Sequence, residues 1–258
     1  MKNIYSSDEY ISKNPSMHAE DSQWKINNIY LLLDTFMNLH LHDISEELVV
    51  LDVGGGAGLI MKGVSEYLQQ KYDIRIRKIC LDLSPGMLDV QLKYNPDAIL
   101  LNEDICSTSL GNKSVDLALM MDVLEHIPSP ENALSELSRI SRYMVSNTPL
   151  ERNLSFNMLD IASRGRLRMY LIKQYGHINC FNFSSLIKLI ENYGIVIDYS
   201  FCNVFKHQLE SNVFENEAPV NRRLRKIGSI MAKDLGNICP RISAEIFGDS
   251  VSMLIMFK

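Results

Sequence analysis

The chain has 258 residues, 46% hydrophobic and 22% charged, with a formal net charge of -5. That balance suits a globular protein with one sizeable core, and it argues against a protein that grips nucleic acid by neutralising phosphates. No apolar run approaches the roughly 20 residues that span a bilayer, and Met1 to Tyr10 lacks the apolar stretch of a signal peptide, so a cytoplasmic protein is expected.

The first 20 residues are polar with scattered aromatics and read as an irregular arm. From Ser22 the spacing of Ile26, Ile29, Leu33 and Met37 predicts a helix, with Asp21 or Ser22 as its cap. Residues 1–44 therefore read as an arm and helix on a main domain over 45–258. An apolar, β-branched run at Leu48 to Val53 predicts a strand, ended by Gly54-Gly55-Gly56-Ala57-Gly58. A helix follows to Tyr72, then a strand over Ile76 to Asp82. Ser84-Pro85 supplies a cap and first-turn pair for a helix through Leu92. Strands are expected at Ala98 to Leu101 and Val115 to Met121, a helix from Ser129-Pro130 to Ile140, and a strand at Tyr143 to Ser146.

Strands alternating with helices predict a Rossmann-like α/β fold, a mostly parallel sheet of seven strands with helices on both faces. After Pro149 the alternation loosens. A helix is expected over Ser184 to Tyr193, stopped by Gly194, with strands at Ile195 to Val204 and Val251 to Phe257. The stretch 206–248 between them reads as a helical insertion. It carries the basic run Arg222-Arg223-Leu224-Arg225-Lys226, most simply a solvated helix face, though it would also suit a phosphorylated or membrane-associated acceptor. The five cysteines, Cys80, Cys106, Cys180, Cys202 and Cys239, are widely spaced without a Cys-x-x-Cys pair. They predict no zinc or redox motif and suit a reducing compartment, with Cys80 filling core.

In open α/β sheets ligands bind beyond the carboxyl ends of the strands, and the chemically informative residues fall there. The glycine loop lets a ligand approach backbone without meeting a Cβ, and the next helix offers free N–H groups. It departs from the dinucleotide pattern Gly-x-Gly-x-x-Gly, because Leu59 stands at the third position. This counts against a nicotinamide-dependent oxidoreductase. Asp82 ends the second strand, where a carboxylate can accept from a ribose diol; its plainer reading is an acid capping the next helix. Glu103-Asp104-Ile105 follows the third strand. There an acid can meet an adenine amino group and Ile105 can lie against the ring; the plainer reading is a turn in solvent. Met121-Asp122-Val123-Leu124-Glu125-His126-Ile127-Pro128 follows the fourth strand and reads as a cleft wall.

Together these stretches resemble the class I S-adenosylmethionine-dependent methyltransferases, most closely the broad small-molecule group called type 11. The likeness is clear over about residues 45–150. It implies that Asp52, Gly54, Gly55 and Gly56 hold the methionine part of the cofactor, that Asp82 binds the ribose, and that Leu83 and Met87 flank the adenine. Glu103, Asp104 and Ile105 would complete the adenine side, with Met121 and Asp122 near the cofactor's amino group. One departure is that Ser138 to Arg142 runs into Tyr143 without the Lys-Pro-Gly-Gly turn of many relatives. Gly176-His177-Ile178-Asn179 is loosely similar to enzymes that modify sugars or glycan and lipid precursors.

The expected activity is methyl transfer to a small molecule, such as O-methylation of a sugar, glycolipid precursor or secondary metabolite. The sulfonium is already activated, so alignment and desolvation suffice and no metal is required in principle. A hydroxyl acceptor needs a base, and His177 and His126 are the candidates, against the plainer reading of structural loop histidines. His18 and Trp24 belong to the arm, which in the resembled family often covers the cofactor, with an aromatic anchor packed on the core as the plainer and preferred reading. The alternative function is a catalytically inactive member of the fold that binds or scaffolds.

Overall fold

The computed structural model describes residues 19–40, 47–211 and 219–258. Most of the expected arm, including His18, lies outside the described residues. A short 3-10 turn, Ala19–Asp21, leads into α1, Ser22–His40. The order is then β1 Glu47–Val53, α2 Leu59–Tyr72, β2 Arg75–Leu81, α3 Pro85–Tyr94, β3 Ile99–Leu101, β4 Val115–Met121, α4 Pro130–Ile140 and β5 Ser141–Pro149. Next come α5 Leu154–Ala162, α6 Arg166–Gln174, α7 Phe183–Ile190, β6 Gly194–Phe201, α8 Val204–Glu210, α9 Pro219–Ile238, α10 Pro240–Phe247 and β7 Ser250–Phe257.

The seven strands form one sheet in the order β3-β2-β1-β4-β5-β7-β6. The first five pair in parallel, while β7 runs antiparallel to both β5 and β6. The chain leaves β1 toward β2 on one side and later returns to β4 on the other. This reversal opens a crevice beyond the carboxyl ends of β1 and β4, the place where such sheets take ligands.

Strand alternation divides the core between the two faces. Leu51, Ala118, Met120 and Met144 point to the face covered by α4 and α7, against Leu134, Leu137 and Leu186. Val50, Leu117, Leu119 and Val145 point to the other, against Phe36 and Leu33 of α1 and Met61 and Val64 of α2. Burial on both faces explains why these strands are nearly continuous apolar runs. Cys80 is fully buried in the second cluster, as expected of a small apolar filler. No described helix is long and apolar enough to cross a membrane.

Several elements differ from the sequence reading. Helix α7 ends at Ile190, its last buried residue, and Gly194 starts β6 instead of capping the helix. A Cβ at Gly194 would lie 2.6 Å from the Met256 carbonyl oxygen, so strand pairing with β7 is what requires glycine there. Strand β5 is longer than Tyr143 to Ser146 because it pairs with β4 on one side and β7 on the other. Helices α5 and α6 fill the stretch after Pro149 and have no fully buried residue. The segment between β6 and β7 contains α8, α9 and α10. Arg223 and Arg225 of the basic run are exposed on α9.

Candidate active site

A cavity of about 450 Å³ opens at the carboxyl ends of the strands. It is lined from β1 by Asp52 and Gly54 to Gly56, and from β2 and α3 by Asp82, Leu83 and Met87. Glu103, Asp104 and Ile105 line it after β3, Met121 and Asp122 after β4, and His126 and His177 also face it. The strand ends thus bring every expected site residue to one space.

The glycine loop is fixed by two kinds of constraint. Gly54 and Gly56 have φ of 63° and 54°, in the left-handed region. A Cβ on Gly55 would land on the Asp52 carboxylate. Asp52 itself is buried, and its Oδ2 has no hydrogen-bond partner. Burial, with Asp82 adding repulsion, pushes its pKa up to about 7.

Asp82 serves two ends. Its Oδ1 accepts from the Ser84 N–H at 2.9 Å, and its Oδ2 lies 3.4 Å from Gln91 Nε2. Ser84 caps α3 by accepting from Met87 N–H at 3.3 Å. Asp82 is therefore part of the cap as well as a cavity wall. Burial pushes it up to about 6, against the pull of the Ser84 N–H.

After β3 the acids are used locally. Glu103 accepts from the Ser109 N–H at 2.8 Å and from its hydroxyl at 2.6 Å, and these bonds hold its carboxyl below the usual range. Asp104 Oδ1 accepts from Cys106 N–H at 2.9 Å. The turn they make presents Ile105, which is buried, against the cavity.

After β4 the backbone turns sharply at Asp122, whose φ is 56°. Three contacts hold it there. Its N–H donates to Asn147 O at 2.9 Å, Asn147 Nδ2 donates to its Oδ1 at 3.2 Å, and Lys25 Nζ pairs with its Oδ2 at 2.7 Å. Burial alone would depress the Lys25 ammonium, but Asp122, with Asp21 and Glu125, outweighs it and the net displacement is upward.

Beyond Asp122 lie two histidines and two glutamates. His177 Nδ1 is 2.7 Å from Glu151 Oε1, and His126 Nδ1 is 3.2 Å from Gly176 O. The two rings meet edge to face at 4.8 Å. The Ile178 and Asn179 N–H groups both donate to Glu125 O, which ties the His177 loop to the β4 exit. Glu125 is 1% exposed, with no hydrogen-bond partner for either carboxylate oxygen. Burial, with repulsion from Asp122 and Glu151, holds its pKa well above the carboxylate range.

Lys25, Glu151 and Tyr175 were given no role in the sequence reading, and Trp24 is placed differently from its reading. Lys25 occupies a cavity-facing position on α1, four residues before the buried Ile29. A lone basic residue continuing the apolar stripe is the signal that marks it. Trp24 stacks on His207 at 4.5 Å and lines the cavity instead of anchoring in the core. His207 also meets Asp21 at 3.0 Å, so α8 and the start of α1 are pinned together beside the cavity. Glu151 and Tyr175, next to His177, carry no local motif.

Residues 51–143 match the family described as "Methyltransferase domain". Comparison with curated protein sequences gives no match. Among solved structures the chain is similar to a putative sarcosine dimethylglycine methyltransferase from Galdieria sulphuraria, at TM-score 0.54 and 14% identity over 88% of this chain and 85% of that one. It is also similar to geranyl diphosphate C-methyltransferase from Streptomyces coelicolor A3(2), in complex with Mg2+, geranyl diphosphate and S-adenosyl-L-homocysteine, at TM-score 0.54 and 10% identity over 90% and 83%. A third similar structure is the [4+2]-cyclase SpnF, at TM-score 0.54 and 12% identity over 88% and 80%. At these identities the likeness is one of fold, and a fold hosts more than one reaction.

Proposed function

Taking residues 51–143 as a class I methyltransferase domain, whose cofactor is S-adenosylmethionine, we propose that this protein methylates a hydroxyl oxygen of a small molecule. The observation that carries the reading is the convergence of Asp52, Asp82, Asp104 and Asp122 on the cavity that His177, held by Glu151, also lines.

The cavity suits this cofactor. The unpartnered Oδ2 of Asp52 beside a loop that excludes a Cβ is an acceptor waiting for a donor. Leu83, Met87 and Ile105 offer an apolar wall for a purine. The acids around the space favour a ligand with cationic ammonium and sulfonium groups. We assign Asp82 to the ribose hydroxyls, Asp104 to the adenine edge, and the Met121–Asp122 backbone to the amino acid end. Glu103 holds the β3 loop through Ser109. When bound, the cofactor supplies an electrophilic methyl group.

The chain's own work is then to align the acceptor and take its proton. His177 is oriented by Glu151, which leaves Nε2 as the nitrogen able to accept. His126 stands against it and, through the Gly176 carbonyl, fixes the loop. The C-methyltransferase and the cyclase among the similar structures define the competing outcomes. The test is to screen hydroxyl, amine and carbon acceptors by mass spectrometry, with release of S-adenosylhomocysteine as the readout. The reading expects an added methyl on oxygen, and a kcat lower by roughly 100-fold or more in His177→Gln. Methylation only on nitrogen or carbon, or cofactor retained with no turnover, would sink it; the last result would favour a binding protein.

A further inference from the structure

We propose that Glu125, His126 and His177 form a binding site for a divalent transition-metal ion, such as Zn2+ or Mn2+, that receives the acceptor's oxygen. The inference rests on the hydroxyl acceptor proposed above and replaces the role of His177 as its base with that of a metal ligand.

One ligand atom from each of the three residues falls within 4.8 Å of the others. Metal-ligand distances of about 2.0–2.2 Å place ligand atoms roughly 3–3.5 Å apart, so small side-chain rotations close the set. The tautomers are arranged for it. Nδ1 of His177 faces the Glu151 carboxylate at 2.7 Å, and Nδ1 of His126 faces the Gly176 carbonyl at 3.2 Å. Carbonyl and carboxylate oxygens accept, so each Nδ1 is the nitrogen placed to donate and each Nε2 is the one that would ligate an ion. An imidazole whose second nitrogen donates to a carboxylate or carbonyl is the usual arrangement of a metal-bound histidine.

Glu125 supplies the independent observation. Its carboxylate is almost completely buried, neither oxygen has a hydrogen-bond partner, and it reaches the cavity beside His126 Nε2, at 3.9 Å. A buried carboxylate left unsatisfied is costly, and a metal ion resolves that cost. The surrounding charge agrees. Asp122 and Glu151 add carboxylates around Glu125, and Lys25, paired with Asp122, stands beside them. Two imidazoles and one carboxylate suit a first-row transition ion better than Mg2+, which prefers all-oxygen shells.

With two histidines and one carboxylate as ligands, positions remain for the acceptor. An ion there lowers the pKa of a coordinated hydroxyl. The O–H bond breaks, oxygen keeps the electron pair, and the proton passes to water. His177 Nε2 is then a ligand, and ionisation at the metal replaces its work as a base.

The test is calorimetric titration of the chelator-treated full chain with ZnCl2, MnCl2 and MgCl2, run alongside titration with S-adenosylhomocysteine. One equivalent of Zn2+ or Mn2+ should bind, with Mg2+ much weaker. Glu125→Gln and His177→Ala should each weaken binding at least tenfold, and Glu151→Gln by roughly 10-fold or more through the orientation of His177. Substitution with Co2+ should give d–d bands without a thiolate charge-transfer band. Absence of Zn2+ and Mn2+ binding in protein that binds S-adenosylhomocysteine overturns the metal site alone. Unchanged affinity in both Glu125→Gln and His177→Ala, or a thiolate band showing cysteine ligation, also overturns it. Loss of S-adenosylhomocysteine binding as well would overturn the functional reading beneath it.

Discussion

Replacing Asp52 by asparagine should make the empty protein more stable at pH 8 relative to pH 4, and the effect follows from burial. The carboxyl is 1% exposed, with one oxygen unpartnered, and its pKa is pushed from 3.8 to about 7. A carboxyl whose folded pKa is raised contributes stability that is full below its unfolded pKa, near 4, and lost as pH rises through about 7. That displacement corresponds to on the order of 4 kcal/mol between the two ends of the window. Asparagine keeps the shape and removes the titration. Its own buried amide costs about 1–3 kcal/mol if unpaired, but that cost is the same at every pH. The measurement is urea unfolding of both proteins at pH 4, 6 and 8. The stability difference, variant minus wild type, should rise by several kcal/mol toward the alkaline end. Equal differences at all three pH values would refute a buried, uncompensated carboxylate at the β1 end. The same variant should lose cofactor affinity, because the acceptor that destabilises the empty fold is the one assigned to the ligand.

Further outcomes follow from the surrounding contacts. Gly55→Ala places a methyl on the Asp52 carboxylate; it should cost about 1–3 kcal/mol of stability and abolish cofactor binding by calorimetry. Lys25→Met removes the 2.7 Å partner of Asp122. Asp122 keeps its Asn147 bond, so a loss of about 1–3 kcal/mol is expected by urea unfolding, together with a lower kcat. Glu151→Gln keeps the volume but weakens the hold on His177 Nδ1; kcat should fall roughly 10-fold or more while the affinity for S-adenosylhomocysteine stays within twofold.

The first half of the chain was legible because its signals are local. An apolar run ending in glycines makes β1 and its loop, Ser84-Pro85 starts α3, and Val115–Met121 has the strand bounds read from the sequence. Asp82, Asp104 and Asp122 follow their strands within a few residues and Asp52 stands near the end of β1, so finding the strands found them. The second half was less legible because its elements depend on distant partners. Helices α5 and α6 expose Met158, Leu159, Ile161, Met169 and Tyr170 and have no apolar stripe turned to the core. Gly194 looked like a helix stop until its pairing with Met256 was visible. Lys25, Glu125 and His177 come from three separate stretches, and only the fold brings them to one cavity.

Titration with S-adenosylhomocysteine decides whether the crevice between β1 and β4 is the proposed S-adenosylmethionine site. Wild-type protein should bind one equivalent. Asp82→Ala, which removes the acceptor assigned to the ribose, should weaken binding by about 10- to 100-fold, as expected for loss of charge-assisted hydrogen bonds of about 1.5–3 kcal/mol. No binding by the wild type would rule out the cofactor site, and equal affinity in Asp82→Ala would rule out the ribose assignment of Asp82.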